Sequence, residues 1–456
     1  MNMATVAASF TPLPQPSGHD LLVFLIQVSV LLGLSLVMGR VATRFALPSV
    51  VGELLTGVLV GPSLLGHLAP RLWHWLFPAS AEQANMINAV AQVGMLLLVG
   101  LSGMHVDLNL IRRRGATAVR VSLGGLLVPL VIGVALGCVL PRALMSPTTD
   151  RTTFAVFLGV AMCVSAIPVI AKTLLDMKLL HRDVGQLTLA AGAVDDAVGW
   201  CLLSVVSAMA VGGAHGWKIG LTVAEIVAFL ILTACVGRPV AQVLFRLCGR
   251  SQDAGPALAT AVAIIITGAA VTQALGLEPA FGAFAAGTLL GASRIREAID
   301  PARLAPLRTF VLWVAAPLFL ATAGLRMDLS ALGHKTVLLS ALAVLTVAVV
   351  GKFAGAFIGA RLSRLSCREG FALGAGMNAR GVVEVVVAMV GLRLGVITTA
   401  TYTIIVLVAV VTSVMAPPLL RRAMAGVDHT ARERIRELDH ARWAGAANAA
   451  PSVAND

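Results

Sequence analysis

Apolar runs separated by short segments rich in Arg, Gly and Pro recur along nearly the whole chain. Each spans roughly 17 to 25 residues, enough at helical rise to cross a hydrocarbon core of about 30 Å. Thirteen such runs are predicted, near residues 21–39, 48–66, 86–104, 117–140, 153–175, 184–211, 219–237, 255–275, 279–293, 308–325, 335–360, 369–392 and 398–420. Inside a bilayer the backbone must satisfy its own hydrogen bonds, so the runs read as helices. The pattern predicts an all-α polytopic membrane protein with an N-terminal segment (1–20), a transmembrane domain (21–420) and a tail (421–456).

Composition agrees. The 456 residues are 58% hydrophobic and 12% charged, with a mean hydropathy of +0.91; soluble domains carry about 25% charged residues. A net charge of +12 in a soluble chain would point to nucleic acid, but in a membrane chain the placement of the basic residues matters more, and no nucleic-acid partner is expected. Of the 34 Lys and Arg, 25 fall on one side of the predicted spans and seven on the other, with Lys352 and Arg380 inside them. That bias predicts a multi-pass cell-membrane protein with its N-terminus outside and its tail in the cytoplasm. The first 20 residues are polar and lack Lys and Arg, unlike a removable signal peptide. The six cysteines show no metal-ligand spacing and predict packing residues, with neither disulfide nor cofactor.

Against this background stands Ala191-Gly-Ala-Val-Asp195-Asp196-Ala-Val-Gly-Trp200, two adjacent carboxylates within one apolar run. A charge at mid-membrane is costly and persists where it is paired or takes part in ion or proton passage. On a helix the two aspartates point about 100° apart and so face different neighbours. The other ionisable residues inside spans are Glu53, Glu225, Lys352, Arg380 and Glu384. Lys352 lies mid-span beside Gly351, Gly355 and Gly359, a ridge that permits close helix approach, and is the natural partner for an aspartate. Arg380 and Glu384 are one turn apart and can pair; support of their own span and direct substrate contact both fit. Glu53, toward the cytoplasmic end of the second span, reads as a gate, a packing partner or a surface acid. Glu225 reads as an ordinary acid near the outer interface.

The halves of the chain echo each other. Thr56-Gly-Val-Leu-Val-Gly-Pro-Ser63 resembles Ala286-Gly-Thr-Leu-Leu-Gly-Ala-Ser293, and Gly103-Met-His-Val-Asp-Leu108 resembles Gly324-Leu-Arg-Met-Asp-Leu329. Matching spans are seven apart, an odd number, so the second repeat (about 255–420) runs inverted relative to the first (about 21–211), with 219–237 as a linker helix. The fifth span contains Ser165-Ala-Ile-Pro168 and its partner, the twelfth, Gly376-Met-Asn378-Ala-Arg380-Gly381. A proline without a backbone donor and a Gly-flanked polar cluster predict two broken, crossing helices whose ends present dipoles beside Asp195 and Asp196.

Taken together, Leu47-Pro-Ser-Val-Val-Gly-Glu-Leu-Leu-Thr-Gly-Val-Leu-Val-Gly-Pro-Ser-Leu-Leu-Gly66, Ser165-Ala-Ile-Pro-Val-Ile-Ala171, Val194-Asp-Asp-Ala-Val-Gly-Trp200 and Met377-Asn-Ala-Arg-Gly-Val-Val-Glu384 resemble the monovalent cation:proton antiporters, in the branch of plant-type cation/proton exchangers and bacterial sodium/proton and potassium-efflux carriers. The resemblance covers about residues 20–420. It implies a thirteen-helix inverted-repeat fold, a homodimer, and a core domain moving against a dimerisation domain. By position Asp196 matches the family's ion- and proton-binding carboxylate and Lys352 its lysine. Asp195 matches a position that is Asp in electrogenic members and Asn in many electroneutral ones, so stoichiometry and preferred ion stay open. No cytosolic nucleotide-binding domain is expected, since no G-x-G-x-x-G follows the last span.

The expected function is exchange of sodium or potassium for protons. Burial and a neighbouring cation act in opposite senses on a carboxylate, so Asp196 can be tuned to trade a proton for a metal ion near neutral pH. An Asp195–Lys352 pair broken by cation entry would couple a second proton. Carboxylate and carbonyl oxygens suit hard monovalent cations, with Ser165 and Asn378 as supporting donors. An intramembrane aspartyl protease is excluded because neighbours 100° apart cannot share one water. Export of an organic cation or ionophore, and an uncoupled cation channel, are the alternatives. In the tail, Val427, Ala431, Ile435, Leu438 and Ala441 share one helical face, which fits a membrane surface, a partner chain or a solvated tail equally. His105 and His181 read as surface histidines or cytoplasmic pH sensors.

Overall fold

The computed structural model describes residues 17–425 except 46, 107, 178, 181, 214–215, 249–252 and 293–300, together with Val427 and Glu433. The readings made for most of the N-terminal segment, for His181 and for nearly all of the tail lie outside the described residues.

In chain order the α-helices are α1 (Gly18–Arg44), α2 (Ser49–Val60), α3 (Leu65–Leu68), α4 (Pro70–Leu76), α5 (Ala81–Met104), α6 (Leu108–Val139), α7 (Arg151–Cys163), α8 (Ile167–Asp176), α9 (Asp183–Gly212), α10 (Gly216–Leu232), α11 (Arg238–Cys248), α12 (Gly255–Ala274) and α13 (Pro279–Leu290). After the gap come α14 (Ala305–Phe310), α15 (Ala316–Gly324), α16 (Lys335–Leu362), α17 (Cys367–Met377), α18 (Val382–Arg393) and α19 (Thr399–Met424). Polar side chains start the helices at the membrane boundaries. Ser17, Ser80, Asp150 and Thr398 each accept the backbone N–H three residues on, and Ser366 with Glu369 forms a capping box, satisfying amides the helix cannot.

Eleven described helices, some merging neighbouring elements, are long and apolar enough to cross a bilayer, and the bent pair α17 and α18 makes a twelfth. Among the described residues the expected count of thirteen is not confirmed. The ninth predicted run forms only the twelve-residue α13, about 18 Å long at helical rise, short of a full hydrocarbon core.

The helices segregate into two units. α1, α2, α5, α12, α13 and α15 pack on one another, as do α6 to α9 and α16 to α19; α9 against α13 and α15 against α18 are principal contacts between them. Glycines of the echoed motifs explain the first unit. Gly57 on α2 lies backbone to backbone with Gly324 on α15, and Gly287 on α13 lies likewise against Gly100 and Gly103 on α5. The second contact is the repeat equivalent of the first, with the motifs in exchanged roles, as an inverted repeat requires.

Both predicted interruptions are true breaks. α7 ends at Cys163, Val164 to Ala166 is non-helical, and α8 restarts with Pro168 in its first turn, where a missing N–H costs nothing. α17 stops at Met377 and α18 begins at Val382 with its axis turned by 49°. The Ser165 hydroxyl donates to Met377 O at 3.2 Å, so the two breaks cross.

Candidate ion-binding site

Asp195 and Asp196 lie near the middle of α9, both fully buried, and their divergent directions give them different surroundings. Asp195 faces into its own unit. Its Oδ1 accepts the Ser122 hydroxyl of α6 at 2.5 Å, and its Oδ2 accepts the Ser165 hydroxyl at 2.9 Å and Lys352 Nζ at 2.5 Å. Three donors, one cationic, engage both oxygens of this carboxylate.

Lys352 reaches Asp195 because α16 lies almost in backbone contact with α6. A side chain at Gly355 would run into the backbone of Gly124, and one at Gly359 into that of Arg120. Besides Asp195, Lys352 Nζ donates to Cys163 O at 2.5 Å. Arg380, also fully buried, donates to Met162 O at 2.5 Å, Ala161 O at 3.4 Å, Ala348 O at 2.9 Å and Glu384 Oε1 at 3.1 Å. Carbonyls 161 to 163 are the last of α7 and have no amides ahead of them to accept from. Two buried cations therefore complete the negative end of that half-helix. The Arg380 carbonyl is held in turn by the Ser413 hydroxyl of α19.

Asp196 is treated differently. Both of its oxygens lack a hydrogen-bond partner. It faces the first turn of α8, where the Ile167 amide influences it, and the Ser102 hydroxyl of α5 across the junction between the units, although neither completes a hydrogen bond. Asn378, the C-cap of α17 at the crossing, likewise has both amide atoms buried and unpartnered. Partnerless buried polar atoms are rare in folded proteins and ask for an explanation.

Lys352, Ser165 and Asp195 are thus brought together, while Pro168, Asn378, Arg380 and Glu384 build the crossing beside them. Glu53 stands elsewhere, on α2, packed toward Gly39 of α1 and Ser49. Glu225 lines a cavity at the Gly212 end of α9. Sequence reasoning missed Ser122 and Ser102, single serines in apolar runs with no charge or spacing to mark them. It could not anticipate that the carbonyls of α7 would matter, because every residue supplies one.

Residues 30–425 match the family model described as sodium/hydrogen exchanger, transmembrane. The chain is 30% identical over 408 residues to the Na(+)/H(+) antiporter NhaS4 of Synechocystis sp., covering 88% of this chain and 97% of that one. It is 25% identical to the Na(+)/H(+)-K(+) antiporter GerN of Bacillus cereus, covering 89% and 97%, and 27% identical to cation/H(+) antiporter 15 of Arabidopsis thaliana, covering 89% and 48%. It spans about half the length of that plant relative. Among solved structures, the sodium proton antiporter MjNhaP1 of Methanocaldococcus jannaschii shares the fold, with a TM-score of 0.65 at 17% identity over 89% of this chain and 98% of that one.

Proposed function

The chain belongs to the sodium/hydrogen exchanger family and is a multi-pass membrane antiporter that exchanges a monovalent cation for protons; on that premise we propose that Asp196 is the group for which cation and proton compete. The observation carrying this is the unequal treatment of two neighbouring carboxylates. Asp195 has both oxygens engaged, whereas Asp196, fully buried and facing Ser102 and the first turn of α8, completes no hydrogen bond. A buried carboxylate without partners is stable with a proton or with a metal cation, and holding one excludes the other.

The coupling lies in the adjoining pair. A cation arriving at Asp196 acts on that pair through its charge, repelling the nearby Lys352 ammonium and weakening its hold on Asp195 Oδ2. Once separated from its partner, the lysine is a lone ammonium in an apolar surround, and releasing its proton relieves that cost. Asn378 and Ser165 supply further oxygens at the crossing. The unit carrying α6 to α9 and α16 to α19 moves against the other, exposing Asp196 to each side in turn. We assign the chain to the cell membrane as a homodimer, N-terminus outside and tail in the cytoplasm, with residues 21–211 and 255–420 as repeats around the 219–237 linker and no resident cofactor. Ion preference is left to measurement.

The test is exchange in proteoliposomes loaded with a pH dye, with sodium, potassium or lithium added outside and the membrane potential clamped or free. Asp196→Asn should abolish cation-dependent proton movement, and Asp195→Asn should leave residual exchange insensitive to potential. Normal exchange by Asp196→Asn would refute the assignment.

A further inference from the structure

Building on the assignment of Asp196, we propose that cations reach it from the Gly212 face along one stripe of α9, through a gate formed by the Glu278–Arg393 ion pair and, beneath it, by Trp200 against Phe284. Asp196, Trp200, Ser204 and Ser207 follow one another at intervals of four, four and three residues, which keeps them within about 80° of the helix circumference. All four are buried, with exposures of 0%, 1%, 0% and 6%, and each carries a polar atom without a hydrogen-bond partner. One such group is an exception; four on one face of a membrane helix form a track whose polar atoms an entering water or cation would satisfy.

The track begins at a cavity lined in part by charged side chains. At the Gly212 end of α9 lies a cavity of about 430 Å³ lined by Ser207, Lys218, Glu225, Glu278 and Arg393. From Ser207 to Asp196 is eleven residues, about 16 Å at helical rise.

Two layers close this path. At the top, Arg393 at the end of α18 holds both oxygens of Glu278, which precedes α13, at 2.8 and 2.9 Å. Below, the Trp200 ring of α9 meets the Phe284 ring of α13 with centroids 6.3 Å apart. Both contacts join one unit to the other, because α9 and α18 belong to the moving unit and α13 to its counterpart. A displacement that opens Asp196 to this face must break both, and it frees the Glu278 carboxylate to attract the cation as the path opens. The cavity also holds Lys218, whose Nζ is occupied by Gly212 O at 2.6 Å, so its charge is drawn to the rim of the cavity.

The experiment uses the full chain in proteoliposomes, with the six native cysteines replaced and exchange retained. Ser204→Cys and Ser207→Cys are exposed to a membrane-impermeant trimethylammonium methanethiosulfonate on either side, and Trp217→Cys marks the Gly212 face. From that face Ser207→Cys should label readily and Ser204→Cys at least tenfold more slowly. Glu278→Gln should speed Ser204→Cys about tenfold, and the swapped pair Glu278→Arg with Arg393→Glu should bring it back. Labelling of Ser204→Cys only from the opposite face, or at a rate indifferent to Glu278→Gln, overturns the route. In the chain with its cysteines intact, Ser204→Leu should cut exchange at least tenfold without lowering the melting midpoint; wild-type exchange by Ser204→Leu overturns it too. Continued exchange by Asp196→Asn would instead remove the reading on which the route rests, whatever the labelling shows.

Discussion

Removing the guanidinium of Arg380 tests whether the crossing is held by the charge at the end of α7. Arg380→Met keeps most of the side-chain volume and leaves carbonyls 161, 162 and 348 bare and Glu384 unpaired in a fully buried setting. Hydrogen bonds to charged groups contribute about 1.5–3 kcal/mol each, and the effects are not additive. Deleting one member of a buried ion pair costs about 3–5 kcal/mol. The second figure is the better guide, because the arginine's partners share its one charge. At about 1 °C per kcal/mol for a chain of 456 residues, the melting midpoint should fall by about 3–5 °C. The assay is thermal unfolding of detergent-solubilised protein followed by size-exclusion recovery. Adding Glu384→Gln to Arg380→Met should regain about 1–2 kcal/mol by removing the lone charge, and no more, since the carbonyls stay unsatisfied. Arg380→Lys should fall between, since a single ammonium replaces a planar fork that serves several acceptors. A midpoint within about 1 °C of wild type for Arg380→Met, or full recovery in the double variant, would refute the reasoning.

Three further outcomes follow from other contacts. Ser122→Ala removes the donor to Asp195 Oδ1 and should cost about 1.5–3 kcal/mol of stability and slow exchange, while Ser122→Thr retains both, as melting and proteoliposome flux will report. Gly355→Ala should cost about 1–3 kcal/mol by forcing α16 away from Gly124, and Gly355→Leu should leave no monodisperse protein on size exclusion. Asp150 caps α7, and Asp150→Ala should cost about 1 kcal/mol at neutral pH. Partial burial pushes the Asp150 carboxyl up, but hydrogen bonds from the Thr153 hydroxyl and the nearby amides together outweigh it and hold it below the usual carboxylate value. The cap therefore stabilises fully above the unfolded value of about 4 and is lost as pH falls through the lower folded value, so the gap between wild type and Asp150→Ala should close on acidification.

Sequence alone determined the class of molecule, because a bilayer imposes simple rules. Run length sets helix length, and two acids in an apolar run require a reason. It also marked both breaks, since Pro168 and the Gly376–Gly381 cluster alter the backbone locally. Even the different surroundings of Asp195 and Asp196 were foreshadowed by the 100° between consecutive helical positions. Tertiary structure decided the rest. That Lys352 answers Asp195 depends on α16 pressing its glycines onto α6, a contact between residues far apart in the chain. That Arg380 spends itself on α7 depends on where the broken helices cross, and the acceptors are carbonyls, which leave no mark in a sequence. Ser122 and Ser102 became visible only once folding set one against Asp195 and the other across from Asp196. The short α13 shows the same limit from the other side: an apolar run states that a segment prefers lipid or a packed interior, and only the packing of its neighbours decides how much of it is helix.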